Sequence, residues 1–361
     1  MTATHILAVR LDNDGDVLLA GPAIRALAAS GARVTLLCGP RGRRAARILP
    51  GVDAVHVFQA PWIDPEPDAV RRDDMDAFVD GVAALRADEA LVFTSFHQSP
   101  LPTALLLRMA GVARIGAISE DYPGSLLDLR HRVPHDIHEV ERGLSLAAAF
   151  GYAPPAGDNG RLSVRRTGAT PPPFDEPYVV VHPGASVPAR AWPPAHHREL
   201  VRLLASRGVP VVVTGSPSER ELTREVAGGP SDFVADLGGA TTLGELADVL
   251  ADASAVVVGN TGPAHLAAAV GTPVVSLFAP TVPPIRWRPY KVPQRLLMTD
   301  VPCAGCRARE CPVAGHPCLS QLTPEMVLGA LDSLLAETAA ARPQRRSRAA
   351  RGLGSLVEVG P

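Results

Sequence analysis

Short, wholly apolar runs alternate with amphipathic stretches along most of the chain, and this alternation predicts its architecture. HILAVR and RVTLLC read as buried strands, because a strand covered on both faces in a parallel sheet is apolar throughout. Between them a Gly/Asp loop leads into a helical stretch over 17–30 that Gly31 stops, so the chain opens with a βαβ unit. Strands at VDAVHVF, ALVFTSF and ARIGA follow, with helices over 75–87 and at LPTALLLRMAG. GATPPPFDEP, residues 168–177, cannot be regular, since its consecutive prolines remove donors and exclude the helical region before each one. The expected division is a first unit over 1–167, a proline-rich linker over 168–177 and a second unit over 178–338.

The second unit restarts the pattern. Strands are expected at YVVVHPG, PVVVTG, AVVVG and PVVSLF, and helices over 196–207, 218–226, 243–251, 263–270 and 324–335. The fold class is therefore α/β, with two Rossmann-like domains facing a central cleft. In such doubly wound sheets ligands bind outside the carboxyl ends of the strands, which makes the cleft the expected site.

Composition narrows the partner. The 361 residues carry 35 Lys+Arg against 37 Asp+Glu, a formal charge of -2, so the body of the protein lacks the positive field of a nucleic-acid binder. No nucleic acid is expected, and a small ligand is. Lys291 is the single lysine, a sign of base-composition bias rather than function. No apolar run reaches the roughly 18 residues that span a bilayer, and residues 1–5 enter the first strand without a basic and apolar leader. The expectation is a cytoplasmic protein. Residues 339–361 are basic and aperiodic, and read as a solvated disordered tail rather than a weak contact for nucleic acid or an anionic surface.

Candidate chemistry sits at the strand ends. In AVVVGNTGPAHLAAAVG the apolar strand ends in Gly259-Asn260-Thr261-Gly262, and Pro263 suits the first helical turn because its missing N–H would be unpaired there. Free amides around Thr261, Gly262 and Ala264 would form a phosphate site with the helix dipole, and His265 would add a proton-dependent positive contact. The rival reading is a helix capped by Thr261 with His265 packed. VHPGASVPARAWP ends another buried strand in a small-residue loop, supplying the hydroxyl of Ser186 and the fork of Arg190 for pyrophosphate oxygens. In VVVTGSPSERE, Glu219 could accept from ribose hydroxyls or simply complement a helix dipole.

The first unit differs. Asp12, Asn13, Asp14, Gly15 and Asp16 follow its first strand, and three carboxylates would repel a phosphate. Acceptor or proton chemistry is expected there, with Asp16 either a general base or a helix N-cap. The same acids match the short D-x-D pattern of metal-dependent sugar transferases, a match common by chance. Cys303, Cys306, Cys311 and Cys318, with His316, are numerous enough for a structural zinc, although the second pair lacks C-x-x-C spacing and reduced thiols are the favoured reading.

Taken in order, GDVLLAGPA, HEVERGLSL, HPGASVPARAWP, the Gly215-to-Glu219 turn, GNTGPAHLAAAVGTPVVSLF and CAGCRARECPVAGHPCL resemble glycosyltransferase family 9, the ADP-heptose:lipopolysaccharide heptosyltransferase-like family. The resemblance covers about His5 to Leu335. It implies the GT-B arrangement and an inverting, metal-independent sugar transfer with no cofactor beyond the nucleotide-sugar co-substrate. By position it implies Asp16 as catalytic base, Arg190 and Ser186 on donor phosphate, Glu219 on ribose and Thr241 beside the nucleobase. Asn260, Thr261, Gly262 and His265 fall on the donor loop usually written D-T-G-x-x-H. Two departures stand out: Arg190 replaces a lysine, keeping the charge, and Asn260 replaces an aspartate, removing one.

The expected function is transfer of a sugar, heptose among the candidates, from a nucleoside-diphosphate sugar to a glycan or lipid-linked acceptor of the cell envelope, with peripheral contact at the inner face of the membrane. The alternatives are a non-catalytic sugar-nucleotide-binding protein on the same scaffold and a zinc- or redox-responsive protein built on the late cysteines.

Overall fold

The computed structural model describes residues 3–341. The first half runs β1 (His5–Arg10), α1 (Asp14–Ala28), β2 (Arg33–Cys38), α2 (Arg43–Ile48), β3 (Ala54–Val57), α3 (Arg72–Leu85), β4 (Glu89–Val92), α4 (Leu101–Met109), β5 (Arg114–Ile118), β6 (Leu129–His131) and α5 (Glu139–Ala149). The second runs β7 (Val179–His182), α6 (Pro194–Ser206), β8 (Val211–Gly215), α7 (Arg220–Ala227), β9 (Val234–Gly238), α8 (Leu243–Asp252), β10 (Ala255–Gly259) and α9 (Gly262–Val270). It closes with β11 (Val274–Leu277), α10 (Pro284–Trp287), β12 (Gln294–Leu297), α11 (Pro317–Ser320) and α12 (Pro324–Ala341).

Each half forms one six-stranded parallel sheet, in the orders β3-β2-β1-β4-β5-β6 and β12-β11-β10-β7-β8-β9. Both are the doubly wound order, whose direction reverses beside β1 in the first half and beside β7 in the second. The ends of β1 and β4, and of β7 and β10, are therefore where ligand chemistry collects. The central strands are wholly buried, as their sequences require: Ile6 to Val9 and Val256 to Val258 are 0% exposed. Burial of each Val, Leu or Ile among them stabilises the fold by about 1.5–3 kcal/mol. One apolar cluster runs from Ile6, Leu18 and Leu27 in the first half to Val180, Val258 and Leu266 in the second, so the two sheets share a packed junction.

Several elements differ from the sequence reading. Strands β6, β9 and β12 are half-buried outer strands with Arg130, Asp236 and Arg295 in them, and their mixed residues hide them from an apolar-run criterion. Helix α5 starts on His138, whose ring nitrogen accepts from Val140 N at 3.2 Å. Residues 168–177 contain no helix or strand, and the chain just before them is tied to α8, where Asp248 accepts from Arg166 Nε at 3.0 Å and Gly168 N at 3.2 Å. Helix α12 runs to Ala341, so 339–341 are helical rather than tail. The remainder of the expected tail lies outside the described residues.

Candidate active site

Of the three acids after β1, Asp12 and Asp16 meet on Arg10, while Asp14 turns away to α2. Asp12 lies 2.8 Å from Arg10 Nε and accepts from Gln98. Asp14 is buried against α2, accepting from Ala45 N at 3.0 Å and pairing with Arg44 at 2.8 Å. Asp16, in the first turn of α1, accepts from Arg10 NH2 at 3.1 Å. Among the described residues no three His, Cys, Asp or Glu side chains are grouped to hold a metal, so neither the D-x-D acids nor Cys303, Cys306, Cys311 and Cys318 form such a set. The N-cap of α1 is Asn13, which frees Asp16 from that role. Burial pushes the Asp16 carboxyl up from its ordinary range; Arg10 opposes this, Glu139 adds to it, and Arg190 pulls it down again.

Across the junction, Thr261 is the N-cap of α9 but makes no side-chain cap bond. The local turn closes two of the amides expected to be free: Thr261 N donates to Gly259 O at 2.9 Å, and Ala264 N to Thr261 O at 3.0 Å. Gly262 N–H remains outside those bonds. Arg190 ends a short helical turn over Pro188–Arg190, and a Cβ on Gly259 would lie 3.1 Å from Arg190 O, which brings the β7 and β10 loops together. Four side-chain atoms here are buried without a hydrogen-bond partner among the described residues: Arg190 Nε, Asn260 Nδ2, Thr261 Oγ1 and His265 Nδ1. A buried polar atom left unpaired is costly, so their gathering on two adjacent loops marks a place built for a polar ligand. Burial holds His265 neutral, with its pKa pushed down to about 3, so it offers a neutral ring rather than the charge expected.

Glu219 closes a capping box in which Ser216 N donates to its Oε2 at 2.7 Å. Its carboxylate lies against the β7 loop, where a Cβ on Gly184 would meet it. Ser186 is exposed on that loop, and Thr241 is half-buried between β9 and α8, one strand removed from the rest. A separate groove of about 530 Å³ between α6 and α7, lined by Arg198, Glu225 and Gly228 among others, shares no residue with this cluster.

The two sets of strand ends meet through glycine. A Cβ on Gly15 would lie 3.0 Å from Gly262 Cα and 3.2 Å from His265 Cδ2, so α1 and α9 touch one residue before Asp16 and at the residue that carries the open amide. The halves also meet where the ring of Phe96 from the first lies against two guanidinium groups of the second, 3.7 Å from Arg286 and 4.6 Å from Arg307. Gly15→Ala should force α1 and α9 apart by a few tenths of an ångström and lower kcat roughly tenfold, since misplacement of about 1 Å can cost 10²-fold. Turnover at saturating donor, compared with the melting temperature, checks this; unchanged turnover would show that the spacing is not tuned.

Sequence reasoning missed Arg10, Ser95, Phe96, Glu139 and Arg142. The signals were Arg10 itself, a charge ending an otherwise apolar strand, and the motif HEVERGLSL, which holds Glu139 and Arg142 but was given no role.

A model of the family described as Glycosyltransferase family 9 (heptosyltransferase) matches residues 88–316. The lipooligosaccharide heptosyltransferase 2 of Haemophilus influenzae is 31% identical over 170 residues, 45% of this chain and 49% of that protein. The lipopolysaccharide heptosyltransferase 1 of Pseudomonas aeruginosa is 34% identical over 223 residues, 59% of this chain and 61% of that protein. The chain thus spans about half the length of the first relative and three fifths of the second. Among solved structures, the E. coli heptosyltransferase WaaC with ADP-2-deoxy-2-fluoro heptose is similar at a TM-score of 0.68 and 25% identity, over 91% of this chain and 99% of that one.

Proposed function

The chain belongs to glycosyltransferase family 9, and on that premise we propose that it transfers a heptose, with inversion, from a nucleoside-diphosphate donor to a lipopolysaccharide-type acceptor. The observation that carries this reading is the meeting of unlike strand ends: Asp16 on one side, and Arg190 with the Gly262 turn on the other, joined at the Gly15–Gly262 contact. Heptose and the acceptor class are supported by the names of the relatives, and a nucleoside-diphosphate donor by the ligand named with the E. coli structure.

In this reading the acceptor hydroxyl gives its proton to Asp16 as its oxygen attacks the anomeric carbon. The bond from that carbon to the diphosphate oxygen breaks on the opposite face. Charge developing on the departing oxygen is met by Arg190, the Gly262 N–H and the positive end of α9. Ser186 adds a hydroxyl to the phosphates, Thr261 and neutral His265 complete the loop, and Thr241 borders the nucleobase. Glu219 holds Ser216 N with one carboxylate oxygen, which leaves the other for ribose. Asn260 offers an amide where the family pattern has a carboxylate, so the donor loop meets the sugar without that negative charge. A lipid-linked acceptor calls for a peripheral membrane contact; no helix among the described residues is long and apolar enough to cross a bilayer.

The test is to incubate the protein with a panel of nucleotide sugars, nucleoside-diphosphate heptoses included, and follow nucleoside diphosphate release with and without lipopolysaccharide-type glycans. Acceptor-dependent release from a heptose donor, undiminished by a chelator, is expected. Tight donor binding with no release would instead make the protein a non-catalytic sugar-nucleotide binder. Immediate, magnesium-reversible loss of activity in chelator would overturn the metal-independent route.

A further inference from the structure

Arg10 is the point at which four separated parts of the first half meet. It ends β1 and is 3% exposed. Its NH2 donates to Asp16 Oδ1 at 3.1 Å and to Ser95 Oγ, just beyond β4, at 2.8 Å. Its Nε lies 2.8 Å from Asp12 Oδ2, and its NH1 donates to Glu139 Oε2 at 3.3 Å. Glu139 opens α5 at 4% exposure, and its other oxygen accepts from Arg142 NH1 at 3.2 Å. Arg142 also donates to Thr94 O at 3.1 Å. HEVERGLSL, a motif otherwise without a role, thus delivers a buried carboxylate to the guanidinium that holds Asp16.

We propose that Arg10 and Glu139 are positioning residues for the base: Arg10 fixes the orientation of the Asp16 carboxylate toward the donor loop, and Glu139, by sharing that guanidinium, limits its grip on Asp16. This rests on the reading of Asp16 as the base. A buried network of charges is a poor device for stability, since well-packed apolar residues in its place are often neutral or stabilising. Its location is also specific, because Asp16 is the member that reaches the junction, with 22% of its side chain exposed against 2% for Glu139. A carboxylate oxygen held by one guanidinium nitrogen is kept from turning back along its helix, and a second carboxylate on the same guanidinium keeps the first from being bound too tightly to accept a proton.

The charges that face Asp16 come from every element around it. Arg10 comes from β1, Asp12 from the following loop, Glu139 from α5, with Arg142 behind it, and Arg190 from the β7 loop. His97 acts on Asp12, and neutral His265 lies against Gly15. The two positioning residues have opposite signs, so their removal should have opposite effects on the pH dependence of kcat.

The experiment compares pH profiles of kcat, and KM for the donor, in the full chain and in Glu139→Gln, Arg10→Gln, Arg10→Lys and Asp16→Asn. Glu139→Gln, which keeps its shape, should move the acid limb to lower pH. Arg10→Gln should move it to higher pH, by about one unit or more, the usual effect of a charge at this distance. Both should lower plateau kcat with donor KM little changed, and Arg10→Lys should restore the limb without fully restoring kcat, since it keeps the charge and loses the fork. If Arg10→Gln does not fold, Glu139→Gln and Arg10→Lys decide alone. Turnover retained by Asp16→Asn would overturn the base itself. An inactive Asp16→Asn together with unmoved limbs, or limbs that move the same way, would overturn the positioning and leave the base standing.

Discussion

Asp16→Asn should lose turnover by at least about two orders of magnitude while nucleoside diphosphate affinity changes little, because removing a general base typically costs about 10²–10⁴-fold. The substitution is close to a pure test of proton transfer. Asparagine is isosteric, its amide oxygen can still accept from Arg10, and the N-cap of α1 is Asn13, so the helix start is preserved. What it cannot do is take a proton. The direction of the wild-type pH profile follows from the same site. Burial raises the Asp16 carboxyl above its ordinary value of about 3.9 despite Arg10 and Arg190. Activity should therefore fall as pH drops through that raised value and the base becomes protonated. Single-turnover release of nucleoside diphosphate, set beside titration calorimetry with the diphosphate, separates chemistry from binding. Turnover retained by the variant would reduce Asp16 to an acid that complements a helix dipole.

What the sequence disclosed and what it hid divide along one physical line. Strands buried on both faces must be apolar throughout, so β1, β2, β7, β8, β10 and β11 were legible as runs. The outer strands β6, β9 and β12 carry charge on a half-wet surface and were not. Asp16, Arg190, Asn260 and His265 could be placed past the central strands because doubly wound sheets collect ligand chemistry there, and the structure puts them at those strand ends. Clusters in sequence were a poorer guide to clusters in space. Asp12, Asp14 and Asp16 are alternate residues, yet Asp14 bonds to α2 while Asp12 and Asp16 share Arg10, and the late cysteines form no metal-holding group among the described residues. Conversely, Glu139 reaches Arg10 across a separation of 129 residues, which no local pattern can announce. The turn after β10 was legible in outline but not in its hydrogen bonds, since whether Thr261 and Ala264 keep free amides depends on the tightness of one turn.

Arg190→Ala should weaken nucleoside diphosphate binding and lower turnover by about 10²–10³-fold, the usual effect of deleting one preorganised donor to developing negative charge. Its backbone is fixed independently of any ligand: Ala189 N donates to Arg309 O at 2.9 Å, and Arg190 O lies against Gly259. Truncating the side chain should therefore leave the loop in place and remove only the guanidinium. Burial lowers its pKa, and Asp16 counters this. The loss should have two separable parts. Weaker diphosphate affinity measures the contact with the leaving group, while a shift of the acid limb of kcat to higher pH measures the loss of a cation that favours the ionised form of Asp16. Arg190→Lys should restore the second part more fully than the first, because an ammonium keeps the charge but cannot bind two oxygens in a fork. Removing Arg190 from the Asp16→Asn background should cost less than removing it from the wild type, since the acid it supports is already gone. Unchanged diphosphate affinity in Arg190→Ala would move the phosphate site away from the β7 loop and the assignment of the second half with it.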